Sequence, residues 1–589
     1  RVVNMHIGDC MGGQVFFDTD MQTEGVKPRF VDHGEVTAKV FKDPKTRILE
    51  INSKTGLYPL YMTYSVFAEK LQAYRDSHML ATDVPVQIQN QIWDDVLRNH
   101  IFVICKTEMA KSITKRTLRG FRSAKVNARY FEDLINKITN QPTLFTSKVV
   151  RGKNYWNNNT LEENMNFNAI VGNPPYQVMD GGGTGSSAIP VYQNFVGIAK
   201  RLGPKFISMI MPSKWYSGGK GLDSFREEMI NDKRLSCLFD YEDSRDCFAG
   251  VDIAGGVCYF LWNSAYSGKC NVTTISNNNV VSSLRDLNEF DTFIRHDKAV
   301  QIIHKVLSHK EVTLDSVVFS RKPFGLGSND GGEPEPFNGS IKVFGSQGYF
   351  YTQRSAVTNN AALIEKWKVI MSKTSAEHAG QSDKEGKKKI ISRITVLEPN
   401  VICTESYLLL SAFDNQEQAE NMVSYVKTIF FRFLMSTILL TQNIAKDKFA
   451  FIPVQDWSKP WSDAELYKKY AFTKDEITYV ESLIKPMDNT ALFDSSELID
   501  PEFGDFNLLD CGVSVGDKIV YTPTGTELIV AKNNMVYCGE ELYTLAQFTA
   551  EYMPRNKRSV SGVCQGPKYF SYNGVSLYQL KESFLGGQK

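Results

Sequence analysis

The chain of 589 residues has almost no net charge, +1 from 67 basic and 66 acidic side chains. That balance neither requires nor excludes a polyanionic partner, because a basic groove can be offset by acidic surface elsewhere. There is no C-x-x-C pair. The ten cysteines (Cys10, Cys105, Cys237, Cys247, Cys258, Cys270, Cys403, Cys511, Cys538 and Cys564) are scattered. That pattern argues against zinc and for reduced, mostly buried thiols of a cytoplasmic protein. No apolar run is long enough to cross a membrane; the best, "TIFFRFLMSTILL", is short and broken by Arg432. No P-loop of the form G-x-x-x-x-G-K-[ST] is present to drive translocation. Nor is there a pair of acids with a nearby lysine, on one strand pair, to hold Mg²⁺ for phosphodiester cleavage. No histidine lies between residues 101 and 295, which removes the commonest general base from the part that looks enzymatic.

What is present reads as globular. Hydrophobic residues make up 42% and charged ones 23%, so disorder is excluded, and the length predicts three or four domains. Residues 47–275 alternate short apolar runs with helical patterns, the mark of an α/β domain with a mostly parallel sheet. "RILEI", "HIFVIC", "FNAIVG", "KFISMIMP" and "GGVCYFLW" read as strands, "LYPLYMTYSVFAEKL" and the basic "TEMAKSITKRTLRGFRSAK" as helices. Boundaries fall at 1–284, 285–460, 461–510 (a helical closing segment and linker) and 511–589. The last is a small β-rich unit with strands "DKIVYT", "TELIVAKN" and "NMVYCG" and a short helix "LYTLAQFTAEYM".

The strand "FNAIVG" leads into Asn173, Pro174, Pro175 and Tyr176, followed by "QVMDGGG". This is the carboxyl end of a buried strand, where open α/β folds keep their ligands. Prolines cannot continue a central strand, and they fix the chain where they stand. The Asn173 amide oxygen and the Pro174 carbonyl can both accept from one planar NH₂ group, such as adenine's. Held in place, they favour a tetrahedral nitrogen and free its lone pair, which is stabilisation by preorganised dipoles. Tyr176 offers a ring on which a base can stack.

"FNAIVGNPPYQ" and the following "AIPVYQNFVGIAKRLGPKFISMIMPSKWYSGGKGLDSFREEMI" resemble the amino-group DNA methyltransferases that methylate adenine N6. The nearest likeness is to the large "GNPPY" enzymes of restriction–modification systems, including the fused restriction–methylation type. The resemblance covers roughly residues 1–460. It implies a class I (Rossmann-like) methyltransferase domain at 1–284, an α+β target-recognition domain at 285–460, and double-stranded DNA as partner, with the target base flipped out. It assigns catalysis to Asn173, Pro174, Pro175 and Tyr176. It also implies S-adenosyl-L-methionine as cofactor, held by Glu50, Asn52, Thr55, Gly56 and Tyr58 of "RILEINSKTGLYPLY", by Glu108 and by Asp133. Only one of the usual glycines, Gly56, remains in that turn, and Cys105 stands where the family ends its second strand in an acid. "PRFVDHGEVTAKVF" falls where the family has a helix closing over the cofactor. In the recognition region "EGKKKIISR", Arg321, Lys322 and Arg354 are candidates for contacts to phosphates and base edges. The tail resembles modules appended to restriction enzymes and adenine methyltransferases. The chain starts at Arg1 rather than Met, so a nuclease or helicase is expected upstream or on a separate polypeptide. The rival readings are a catalytically silent DNA-binding protein of the same fold and a methyltransferase of protein glutamine side chains.

Overall fold

The computed structural model describes residues 1–18, 23–79, 83–178, 188–219, 221–276, 279–376, 382–383, 385–487, 508–531, 535–539, 541–552, 569–577 and 579–580. The Gly-rich stretch after Val178, the linker at 488–507 and all of "VCQGPK" lie outside the described residues. Two compact units divide the chain, Arg1–Leu492 and Phe493–Lys589.

The first unit is built on a nine-stranded sheet. In chain order its strands are β1 (Ile48–Ser53), β2 (Ile101–Cys105), β3 (Asn127–Tyr130), β4 (Ala169–Gly172), β5 (Phe206–Pro212), β6 (Leu235–Tyr241), β7 (Val257–Asn263), β8 (Cys270–Ser276) and β9 (Asn279–Arg285). Across the sheet they run β9-β8-β6-β7-β5-β4-β1-β2-β3. Strands β1 to β5 are all parallel, whereas β7 is antiparallel to both of its neighbours. This is a mostly parallel, Rossmann-like α/β sheet. Apolar side chains alternate between its faces, as a period of two requires. Leu49, Ile51, Phe102 and Ile104 enter one core, while Ile48, Ile101, Val103 and Cys105 enter the other. The second core is covered by α1 (Val2–Met11), α2 (Leu57–Ser77) and α3 (Glu108–Arg119), and strands buried on both faces are what a parallel sheet needs.

"PRFVDHGEVTAKVF" does not form one helix. Glu24–Val31 pairs antiparallel with Gly13–Phe17, and only a short helix and a π-helical turn, Glu35–Thr37 and Ala38–Lys42, follow. The reason is non-local: the hairpin partner lies upstream, and hairpin pairing overrides the local helical pattern.

From Ile294 onward the side chains join two further cores: a smaller one that includes Phe324, Ile341, Val343, Ile402 and Leu409, and a larger one. The larger includes the helices Gln416–Lys427, Ile429–Ser436, Asp463–Lys469 and Lys474–Leu483, together with residues of the strands Trp367–Ser372 and Tyr407–Phe413. "TIFFRFLMSTILL" belongs here, with Arg432 buried and donating to the carbonyls of Lys427 and Thr428. Among the described residues no helix is long and apolar enough to cross a membrane.

The second unit is a six-stranded antiparallel sheet with the helix Leu545–Tyr552 over a core of Ile519, Tyr521, Leu528, Val536, Phe548 and Phe570. The segment expected to be helical from Leu542 begins as a strand instead. Val536 pairs with Tyr543, so the helix starts three residues late.

Candidate active site

The order β3-β2-β1-β4-β5 reverses direction between β1 and β4, the switch point at which open α/β sheets bind ligands outside the carboxyl ends of their strands. The β1 loop carries Glu50 to Tyr58 and the β4 loop carries Asn173 to Tyr176. The two strands are in register over Ile48, Leu49 and Glu50. Their approach is close: a Cβ on Gly172 would sit 3.2 Å from the carbonyl oxygen of Ile51.

Asn173 is half-buried and Pro174 buried. The Asn173 Oδ1 is inaccessible and accepts no hydrogen bond. Its backbone carbonyl is spoken for, because Asn52 Nδ2 donates to it at 3.3 Å. The Tyr176 hydroxyl is also buried without a partner. Burial raises its pKa, and the Asn173 side chain, near it but outside hydrogen-bond geometry, lowers it. The Tyr176 carbonyl accepts from the amide of Val191 at 3.1 Å, and Gln177–Val178 pairs with Ile189–Pro190. The loop is thus pinned at both ends while its amide oxygen is left open.

On the β1 side, Glu50 is 5% exposed and its Oε2 has no partner. Burial pushes its carboxyl up to about 7, with Ser53 and Lys54 opposing. Asn52 holds a left-handed backbone at φ 76, which an asparagine tolerates better than most residues. Gly56 caps the start of α2 at φ 81, and a Cβ there would meet Thr114 Cα at 3.1 Å. A glycine is required on both counts. The free amides of the first turn of α2 then face the sheet edge.

Tyr58 is buried, and its hydroxyl lies 2.7 Å from His6 Nδ1. His6 Nε2 lies 2.7 Å from Ser208 Oγ, whose hydroxyl donates to the Phe260 carbonyl at 2.7 Å. With that proton committed, His6 Nε2 donates to Ser208 and Tyr58 donates to His6 Nδ1. Burial drops the His6 pKa to about 3, so the ring is neutral. Tyr58 has its own pKa raised by burial, then by Tyr176 and Glu50 close by. The structure therefore brings Glu50, Asn52 and Tyr58 together with the 173–176 loop. Sequence inspection misses His6, which comes from a helix far upstream and carries no local motif.

The remaining sequence candidates stand along the same edge but apart. Thr55 is exposed, and its carbonyl accepts from Thr117 Oγ1 at 2.7 Å. Glu108, in the first turn of α3, is exposed and ion-paired with Lys111 at 2.6 Å. Asp133 is exposed at the end of β3, at φ 51, accepting from Asn136 Nδ2 at 2.7 Å. Cys105 turns into the core, its thiol 3.9 Å from Thr114 Oγ1 and pushed up to about 12 by burial. No group of His, Cys, Asp and Glu able to hold a metal occurs among the described residues. In the region expected to recognise DNA, Arg321 is clamped by Glu405 through two contacts of 3.0 Å, and Arg354 pairs with Glu365 at 3.5 Å.

Residues 99–248 match the model of the Eco57I restriction-modification methylase family. An uncharacterized adenine-specific methylase of Mycoplasma pneumoniae is 38% identical over 112 residues, which are 19% of this chain and 26% of that protein. The match thus spans about a quarter of that relative's length. Among solved structures, the Type IIL restriction-modification enzyme MmeI in complex with DNA aligns at a TM-score of 0.41 and 10% identity, over 70% of this chain and 63% of that one. A nuclease-deletion mutant of the Type ISP enzyme LlaGI with a DNA substrate mimic aligns at 0.38 and 10% identity, over 92% and 62%. By sequence, the stretch that holds the 173–176 loop is similar to the Eco57I restriction-modification methylases.

Proposed function

We propose that this chain methylates N6 of an adenine flipped out of duplex DNA, as the modification and recognition part of a restriction–modification system. The observation that carries the reading is the buried, unpartnered Asn173 Oδ1 at the switch point, on a loop fixed by two prolines and by Asn52. A buried acceptor left unpaired costs about 1–3 kcal/mol, so the fold retains it for a donor that arrives with a ligand. Asn173 Oδ1 and the Pro174 carbonyl accept the two N–H groups of the amine, and the Tyr176 ring stacks on the base. The nitrogen lone pair, no longer spread into the ring, attacks, and the surplus proton leaves to solvent.

S-adenosylmethionine, when bound, would supply an electrophilic methyl group on a sulfonium whose departure as a neutral thioether balances the transfer. The residues at the edge of β1 to β3 fit such a group. Glu50 offers a buried open carboxylate oxygen, Gly56 opens the helix amides, and Asp133 stands exposed at the end of β3. Residues 285–460 choose the DNA sequence, and residues 511–589 add affinity or a check on modification state. The test is Asn173→Ala with N6-methyladenine in substrate DNA measured by mass spectrometry. Loss of transfer with cofactor binding retained is expected; wild-type transfer sinks the reading.

A further inference from the structure

The stretch from Lys106 to Tyr130 holds eight cations, Lys106, Lys111, Lys115, Arg116, Arg119, Arg122, Lys125 and Arg129, against a single carboxylate, Glu108. The whole chain nets only +1, so this segment is far from its average. On α3, Lys111, Lys115 and Arg119 recur every four residues and share one stripe. Like charges so spaced repel and weaken a helix. Among the described residues only Lys111 and Arg122 of the eight form ion pairs, with Glu108 at 2.6 Å and Asp94 at 3.1 Å. Arg119 and Lys125 donate to the carbonyls of Ala124 and Asn157, contacts that hold the side chains without neutralising them. Lys115 is held below its usual range by burial and then by Lys111, Arg119, Lys125 and Arg129. The repulsion is therefore felt in the folded chain.

Apolar groups are exposed in the same place. Phe121 is 89% and Met109 74% exposed, and the Arg116 guanidinium lies 3.3 Å from the Phe121 ring centroid. Because α3 links two parallel strands, it runs back from the carboxyl edge of the sheet to the opposite edge. Lys106 therefore stands near the site, and Arg119, Phe121 and Lys125 stand away from it. The cationic strip is about 18 Å long, enough to reach phosphates on both sides of a major groove about 12 Å wide.

We infer that the face formed by α3 and the turn to Lys125 binds the phosphate backbone of duplex DNA, as a second contact apart from the recognition region. This rests on the reading of the chain as a DNA methyltransferase and adds to it a surface that does not touch the target base. A polyanion is the partner that relieves the repulsion, and each phosphate neutralised releases counterions, which makes the contact measurable by its salt dependence.

The test uses the full chain, a short fluorescein-labelled duplex and a KCl series. Lys106→Glu/Lys115→Glu/Arg116→Glu is expected to lower affinity more than about tenfold and to reduce the slope of log K against log salt by about two to three. Phe121→Ala is expected to weaken binding while leaving the slope unchanged. Thermal melting checks the fold, and if the triple variant does not fold, Lys115→Gln/Arg116→Gln takes its place with a smaller change in the same direction. Wild-type affinity and slope in these variants overturn the inference. So does unchanged duplex binding together with lost binding of poly-glutamate, which assigns the face to an acidic protein. Asn173→Ala separates the two proposals: it retains the wild-type salt slope if the surface is right. A wild-type chain that binds duplex with the expected slope yet makes no N6-methyladenine refutes the reaction alone.

Discussion

The loop after β4 and the corner where Arg321 meets Glu405 both place polar side chains at the rim of a packed body, and they dispose of them in opposite ways. At the corner, the Arg321 guanidinium meets both oxygens of Glu405, so two of its five N–H donors are engaged inside the chain. At the loop, Asn173 Oδ1 and the Tyr176 hydroxyl are buried and spend nothing, while the backbone around them is fastened by Asn52 and Val191. A satisfied polar group contributes to the fold. A buried, unsatisfied one on a rigid frame costs stability, and it persists where a ligand completes it.

The sharpest way to break that contrast is Asn173→Ala. Removing a preorganised acceptor costs about 10²–10³ in rate where the interaction strengthens in the transition state. Transfer to DNA is expected to fall by that factor, with the unfolding midpoint unchanged or slightly raised, since an orphaned oxygen disappears. A large loss of stability would mean that Asn173 belongs with the satisfied groups.

Glu50 gives the next largest effect, in stability rather than rate. Its carboxyl ionises near 4.5 in the unfolded chain and is pushed up to about 7 in the fold. Between those values the unfolded chain has lost a proton that the folded chain keeps, so stability falls as pH rises through this window and levels off above it. The cost approaches about 3 kcal/mol at pH 8. Glu50→Gln, neutral and of the same shape, is expected to recover most of that at pH 8 and to flatten the dependence on pH. It is also expected to weaken cofactor binding, measured by calorimetry. Denaturant titrations with the same pH slope in both proteins would show that Glu50 is already satisfied.

These two loops were not equally legible in the sequence. Asn173 to Tyr176 are consecutive, so strand, rigid prolines and aromatic ring were read together, and the apolar runs marked β1, β2, β4 and β5 because both faces of each are buried. The β1 loop has one glycine where several are usual. Its fitness lies in backbone geometry, the left-handed Asn52 and Gly56, which composition does not display. The direction of β7 and the upstream hairpin depend on which strand each finds as neighbour. His6 reaches Tyr58 only because α1 packs beneath the sheet edge. Contacts set by tertiary packing leave no local spacing to read.

Asn52 joins the two loops, and its removal is a finer test. Asn52→Ala leaves Asn173 itself in place but frees its carbonyl, so the acceptor is less well held. Loss of positioning of this kind is expected to lower kcat about tenfold. The KM for cofactor is expected to change little, because the bond goes to the 173–176 loop. A raised KM with unchanged kcat would return Asn52 to the cofactor pocket that its sequence position suggests.

The smallest effect is expected at the Arg321 corner, and it has a direction that matters. Arg321 is exposed, so its pair with Glu405 is screened by solvent, and such pairs contribute little to stability. Arg321→Ala is expected to leave the unfolding midpoint unmoved and the salt slope of duplex binding at the wild-type value, since the charge of Arg321 is already paired with Glu405. Glu405→Ala is the informative partner. It releases the fork of Arg321 without adding a charge, and a released cation on a DNA-binding surface gains phosphate contacts. Tighter duplex binding with a steeper salt slope in Glu405→Ala would place this corner against DNA, its donors held back by one carboxylate. An unchanged slope would assign the pair to the fold alone.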